Sequence, residues 1–318
     1  MKNFIITPFA WVLEQFYNLS GNYIVALFFF AVVFKLILLP SSISQQKGAA
    51  KQQRLQPKIR RIQARYAGDQ KKIQEETQAL YQREGYNPMS AQGCLPMLIQ
   101  LPIIFILYDV IYKPLSYVLK VPAETITKMS NVLEKAGVTL GEDRFLEMSI
   151  MDNFEKAASA VPDYADKIRG LIDSFSFGDV LLTTKPSFSA LTNWGTSTSG
   201  DKLLLLIPLL SGLTALLTSL ITQAKQKKQN PEMAKNPTMG CMTYSMPIMS
   251  LVFTFSFPAG IGVYWIFQNI LSAIQMVILN RVYSNEKVMS KVLVVETIQR
   301  RSKENNIKMV SKIKEDKE

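Results

Sequence analysis

The sequence predicts an all-α integral membrane protein with five transmembrane helices, its N-terminus outside and its C-terminus inside. Three observations predict this class. Long apolar runs alternate with strongly charged blocks in a chain of 318 residues that is 48% hydrophobic with positive mean hydropathy. The last run, Cys241 to Leu279, is too long for one crossing and is split at Phe257-Pro258-Ala259-Gly260, residues that favour a tight turn. The hydrophilic pieces between the runs alternate in charge sign.

Residues 1–19 form the first element. Phe4, Ile5, Phe9, Val12, Leu13 and Phe16 recur at helical spacing with Glu14, Gln15 and Asn18 opposite, which suits an amphipathic helix on the outer membrane surface or a short packed leader. The first span, 20–40, is built on the apolar run Tyr23 to Leu39. No cleaved signal peptide is expected, because that run starts late, contains Lys35 and lacks a small-x-small cleavage site. Residues 41–90 read as a basic cytoplasmic helical hairpin: Leu55, Ile59, Ile62 and Tyr66 form a thin stripe, Ala67-Gly68-Asp69 a turn, and Ile73, Leu80 and Tyr81 a returning helix. So sparse a seam suits either a mobile partner-binding arm or a lipid-surface contact.

The second span is 91–113, with its apolar run from Leu95 to Tyr112. Residues 114–202 form a small extracellular helical segment, marked by Ile126, Met129, Val132 and Leu133. The third span is 203–222, followed by a cytoplasmic loop at 223–238. The fourth and fifth spans are 239–257 and 261–280, and a basic cytoplasmic tail covers 281–318.

Charge orients these spans. Residues 40–90 carry net +6 and residues 120–202 net −3, whereas 223–238 carry net +3 and 281–318 net +4. Basic loops face the cytoplasm, so the first and third of these pieces and the tail lie inside. Both cysteines, Cys94 and Cys241, then fall at cytoplasmic helix ends, where a disulfide is not expected. The tail mixes pairs such as Arg300-Arg301 with acids, and its composition fits ribosomal RNA and anionic lipid equally.

Lys35 is the most informative single residue, because it interrupts an apolar span and no acid occurs at a comparable depth. A charge near the bilayer centre costs roughly 2.5 to 3.5 kcal/mol, so it normally faces protein, water or a partner. Lys35 is also five residues before Pro40, about 7 Å at 1.5 Å per residue, and a lysine stem can snorkel that far. Other polar residues lie near it in depth. Gln268, Asn269, Ser272 and Gln275 form a stripe on the fifth span, Ser211, Thr214 and Thr218 one on the third, and Gln100 lies on the second. The outer half of the first span, Tyr23 to Phe30, is apolar by contrast. A hydrated groove open to the cytoplasm, with Lys35 as its fixed charge, accounts for the whole set; hydrogen bonds between helices account for any single member. Asp109 and Lys113, at i and i+4, read as an ordinary ion pair.

Enzymatic chemistry is not expected: the chain has no histidine, and no metal cluster, paired nucleophile and base, or phosphate loop is seen in it. No cofactor, metal or small-molecule substrate is expected. A secondary transporter would need an inverted repeat or broken helices and a coupling acid, none of which is evident. An assembly scaffold for membrane complexes needs the same basic cytoplasmic surfaces and stays open.

These residues carry a resemblance. Phe34-Lys35-Leu36-Ile37-Leu38-Leu39-Pro40, the basic hairpin, Gly93-Cys94-Leu95-Pro96-Met97-Leu98-Ile99-Gln100-Leu101-Pro102-Ile103 and Tyr264-Trp265, in a five-span layout, resemble the YidC/Oxa/Alb membrane protein insertases in their Gram-positive form. The resemblance implies a protein of the bacterial cytoplasmic membrane that inserts nascent membrane proteins and acts as their chaperone. It would work alone or with the Sec translocon, the signal recognition particle receptor and the ribosome. It further implies that Leu95, Pro96, Leu101, Pro102, Ile104, Tyr264 and Trp265 form a greasy slide along the second and fifth helices. Where the family places an arginine in its groove, this sequence has Lys35, which keeps the charge but loses the planar five-donor fork.

Overall fold

The structure, a computed structural model, describes residues 2–87, 105, 107–141, 144–178, 180–229 and 237–315. It divides into two compact units, Met1–Leu38 with Ile99–Ile274, and Leu39–Leu98 with Gln275–Glu318.

The first unit begins with α1 (Lys2–Ser20) and α2 (Tyr23–Ile37). Gly21, at φ +63°, turns the chain between them, and the Asn22 side chain caps α2 by accepting from the N–H groups of Ile24 and Val25. The two helices pack through rings: Phe16 stacks on Phe29 at 5.4 Å and Phe9 meets Phe34 edge-on at 6.0 Å. Ile6, Ala10 and Leu13 are buried on this face, and Glu14, expected on the polar side, pairs with Lys120 at 2.5 Å. Thus α1 is packed protein, because its apolar face meets α2.

Residues 107–112 are helical, and α5 (Pro114–Tyr117) follows. Lys113 reaches Asp109 at 3.0 Å, the i,i+4 pair the spacing predicts. The outer segment is built from α6 (Ala123–Lys135), α7 (Leu146–Asp152) and α8 (Pro162–Ser174), with 3-10 turns at Phe154–Lys156 and Ala158–Ala160. A small antiparallel ladder then pairs β1 (Ser176–Phe177) with β2 (Val180–Leu181) around Gly178 at φ +60°. This ladder corrects the purely helical expectation for the segment; it is two residues a side, too short for an alternating pattern to register. Met129, Leu133, Ile168, Leu171 and Phe175 give the segment a core continuous with that of α1 and α2.

After α9 (Phe188–Thr192) come the long helices α10 (Ser199–Gln229), α11 (Pro237–Thr254) and α12 (Ala259–Val282). α10 continues past the expected boundary at 222, because Ala, Gln and Lys propagate a helix after the apolar stretch ends. Its exposed face, Leu203, Leu206, Leu210, Leu213, Leu217 and Leu220, is apolar, as is that of α12 at Ile270, Ile274, Val277 and Ile278. Apolar stripes of this extent belong against lipid. Among the described residues, the α10 span Ser199–Lys225 and α12 are long and apolar enough to cross a membrane. A third crossing results if α2 and the next helix count as one span. The chain is an integral membrane protein.

The second unit holds α3 (Leu39–Arg65), α4 (Gln70–Arg83) and α13 (Asn285–Glu315). Gly68 at φ +95° makes the turn between α3 and α4, and Asp69 caps α4 at the Lys72 N–H. Lys58 pairs with Glu84 across this hairpin. Ala50, Leu55 and Ile59 are buried on α3, whereas no described residue of α4 is. Gln46 donates to Asn280 Oδ1 at 3.1 Å, and Lys47 lies 5.6 Å from the Tyr283 ring centroid.

Candidate functional site

Lys35 occupies the last turn of α2, which ends at Ile37 and is capped by Leu38. A cation in this place is favoured by the carbonyl ends of the helix. The side chain is half-buried and donates from Nζ to Ser272 Oγ on α12 at 2.7 Å. Ser272 gives its own hydroxyl hydrogen to the Gln268 carbonyl one turn earlier, at 2.5 Å, so its oxygen is left to accept from Lys35. The Gln268 amide in turn donates to Tyr264 Oη at 2.7 Å. Among the described residues no carboxylate pairs with Lys35. The result is one polar track along α12, ending at a cation.

The other polar residues of the expected set are engaged elsewhere. Ser211 on α10 is fully buried and shares a hydrogen bond with Ser250 Oγ on α11 at 3.0 Å, while Thr254 donates to it at 3.2 Å. Asn269 on α12 donates to Thr214 Oγ1 at 3.3 Å and to the Ser211 carbonyl at 3.4 Å, and Thr218 donates to the Asn269 carbonyl at 3.2 Å. These bonds join α10, α11 and α12, at about 0.6 kcal/mol each. Thus Gln268 and Asn269, adjacent in sequence and about 100° apart around one helix, serve different neighbours. Gln275 keeps a buried amide nitrogen with no hydrogen-bond acceptor among the described residues. Gln100 and the slide residues Leu95, Pro96, Leu101, Pro102 and Ile104 lie outside the described residues, as does Cys94.

Small residues allow the helices to approach. A Cβ on Gly262 would stand 2.4 Å from Ile207 Cγ2 and 2.6 Å from Thr254 Cγ2, so glycine is required where α12 meets α10 and α11. Tyr264 is 3% exposed and packs into the core, which places it behind any lipid-facing slide; Trp265 is half-buried and donates to Tyr108 Oη at 2.6 Å. That Tyr–Trp bond was not read from the sequence, and neither were Ser250 and Thr254, although their i,i+4 spacing in an apolar run was a usable signal.

The outer segment closes the far end of α12. The N–H groups of Ala259 and Gly260 donate to the carbonyls of Thr184 and Leu182, at 3.0 and 2.7 Å, which satisfies part of the open N-terminus of the helix. Phe175 fills the space above Gly260, where a Cβ would stand 2.3 Å from its ring, and it meets Tyr23 at 4.5 Å. Glu147 is buried beneath, accepting from the Ser116 N–H at 3.0 Å and from its hydroxyl. Burial pushes this carboxyl above the usual range, opposed by the Ser116 hydrogen bonds and by Lys113. Burial and the neighbouring Asp109 carboxylate push the Tyr117 phenol up to about 12.

A half-buried lysine thus ends a polar track on α12, whose N-terminal end is covered by Phe175 and the 182–184 backbone. The family model described as 60Kd inner membrane protein matches residues 15–287. The chain belongs to this family. The 60Kd inner membrane protein family is the YidC/Oxa/Alb group that the motifs resemble. One relative, membrane protein insertase YidC 2 of Listeria innocua, is 27% identical over 291 residues, covering 90% of this chain and 74% of that protein. Membrane protein insertase YidC 1 of Listeria monocytogenes is 25% identical over 313 residues, covering 97% and 82%. Membrane protein insertase YidC of Treponema denticola is 28% identical over 270 residues, covering 85% of this chain and 36% of that longer protein. The Listeria matches agree with the Gram-positive form of the YidC/Oxa/Alb family.

Proposed function

We propose that the chain is a membrane protein insertase and chaperone of the bacterial cytoplasmic membrane, crossing it five times with its N-terminus outside. The observation that carries the reading is Lys35: a half-buried cation, without a carboxylate partner among the described residues, hydrogen-bonded to Ser272 on α12. Family membership and relatives named as insertases support it.

The mechanism has no covalent step. The hydrophilic tail of an incoming helix pauses in a hydrated groove open to the cytoplasm, where Lys35 attracts its acidic groups. Gln268, Ser272, the free amide of Gln275 and Gln100 replace part of its hydration; Ser211, Thr214, Thr218 and Asn269 hold the wall behind them. Water within the inner leaflet shortens the apolar distance the tail must cross, and membrane potential assists acidic tails by about 2.3 kcal/mol per charge per 100 mV. The apolar part of the substrate leaves along Leu95, Pro96, Leu101, Pro102, Ile104 and Trp265, with Tyr264 packed behind. Burial in lipid drives release at roughly 25 cal/mol per Å².

The clients are nascent membrane proteins, taken alone or beside the Sec translocon, with delivery through the signal recognition particle receptor. The basic tail, Arg281 onward, meets the ribosome or anionic lipid. Purified protein in liposomes, given a small single-span substrate with an acidic N-terminal tail and no other factor, is expected to insert it above the level of empty liposomes. Insertion no better than empty liposomes would instead favour an assembly scaffold.

A further inference from the structure

We propose that the outer segment carries its own membrane anchor: Phe188 and Trp194 sit at the interface of the outer leaflet and tie the segment to phospholipid. Phe188 opens the short helix α9, and Trp194 follows in the turn before α10. Both large rings are 54% exposed. Neither is loose. Phe188 stacks on Phe255 at 3.9 Å, and Lys202 holds its ammonium 5.3 Å from the Trp194 ring centroid.

Position decides what covers them. Phe255 directly follows α11, whose exposed residues at that end are Val252 and Phe253, and Lys202 directly precedes the exposed stripe of α10 that starts at Leu203 and Leu206. The two rings therefore border the surface that faces lipid, with the exposed polar residues Asn193, Thr196, Thr198 and Ser199 beside them at the wet edge. Trp and other rings with a polar edge concentrate at this depth, where the body is apolar and the edge is wet. Among the described residues nothing accepts from the indole N–H of Trp194, an exposed ring, so a lipid carbonyl or phosphate oxygen can, and Lys202 supplies the matching cation for the phosphate. An isolated exposed ring needs no explanation, but a stacked pair and a cation-bearing Trp bordering a lipid-facing stripe form a patch.

The anchor has a mechanical consequence. It lies a few residues beyond Leu182 and Thr184, whose carbonyls cap α12, so lipid held at Phe188 and Trp194 fixes the height of that cap. The inference rests on α10 crossing the bilayer, part of the reading above, and not on insertase activity.

The test uses the full chain in phosphatidylcholine vesicles brominated either near the carbonyl or near the acyl end. Subtracting the emission of a Trp194→Phe variant from that of the native chain isolates Trp194. Its emission is expected to be lost with the shallow quencher and largely kept with the deep one. A Trp placed mid-helix by Leu213→Trp, in the Trp194→Phe background, should show the reverse order. If Leu213→Trp is quenched and Trp194 responds to neither lipid, the anchor is overturned while the membrane crossing stands, whether Trp194 is open to aqueous acrylamide or covered by a second copy. If neither position is quenched, both the anchor and the crossing of α10 fail.

Discussion

Lys35, half-buried, and Glu147, buried, are both ionisable, yet their surroundings assign them different work. Lys35 meets a hydroxyl whose own hydrogen is committed elsewhere, and among the described residues no carboxylate pairs with it. Glu147 is held by two donors of Ser116 and braces α7 against α5. Its raised pKa has a definite sign. Below the value of an unfolded Glu, about 4.3, the group is protonated in both states and contributes nothing; as pH rises from there through the higher folded value, stability is lost. Glu147→Gln keeps an acceptor and carries no charge. Its stability advantage over the native chain should therefore be absent near pH 4 and grow toward neutrality in thermal unfolding, whereas an offset that does not change with pH would contradict the assignment. Lys35 was legible in the sequence because a charge in an apolar run stands out. Glu147 was not, since it sits among Glu142, Asp143 and Arg144 and only tertiary packing distinguishes it.

At the scale of elements, the sequence-based reading worked where composition changes abruptly and failed where packing decides. The turn at Ala67-Gly68-Asp69 lies between α3 and α4, and the chain breaks between Thr254 and Ala259, so that Phe257 and Pro258 fall in the break while Ala259 and Gly260 already begin α12. The division of the polar stripe on α12 was hidden, because Gln268 and Asn269 differ by only one residue and what each touches depends on where α2, α10 and α11 lie. Gly262 shows how tightly they lie. Gly262→Ala puts a methyl within 2.6 Å of two β-branched side chains, which are stiff, and should cost about 1 to 3 kcal/mol. A lowered unfolding midpoint in detergent is expected, with Gly170→Ala on α8, where a Cβ meets nothing, as the neutral control. Equal midpoints for the two variants would mean that α12 does not approach α10 and α11 so closely.

For the whole molecule, the N-terminal end of α12 is capped by the Leu182 and Thr184 carbonyls, and Lys35 meets the same helix further along at Ser272. The charge alternation that orients it can be checked by labelling. In a background of Cys94→Ser and Cys241→Ser, an impermeant maleimide applied to intact cells should label Lys167→Cys at once and Lys71→Cys only after lysis; the reverse pattern would invert the topology. Both positions are exposed, so labelling reports sidedness and not burial. The most direct measurement of the central claim is insertion into liposomes of a single-span substrate with an acidic N-terminal tail by the native protein, Lys35→Arg and Lys35→Gln. The account predicts that insertion is kept with arginine and lost with glutamine, because the fixed charge draws the tail into the groove. Equal insertion by all three would contradict it and reduce Lys35 to a residue that snorkels to the inner boundary.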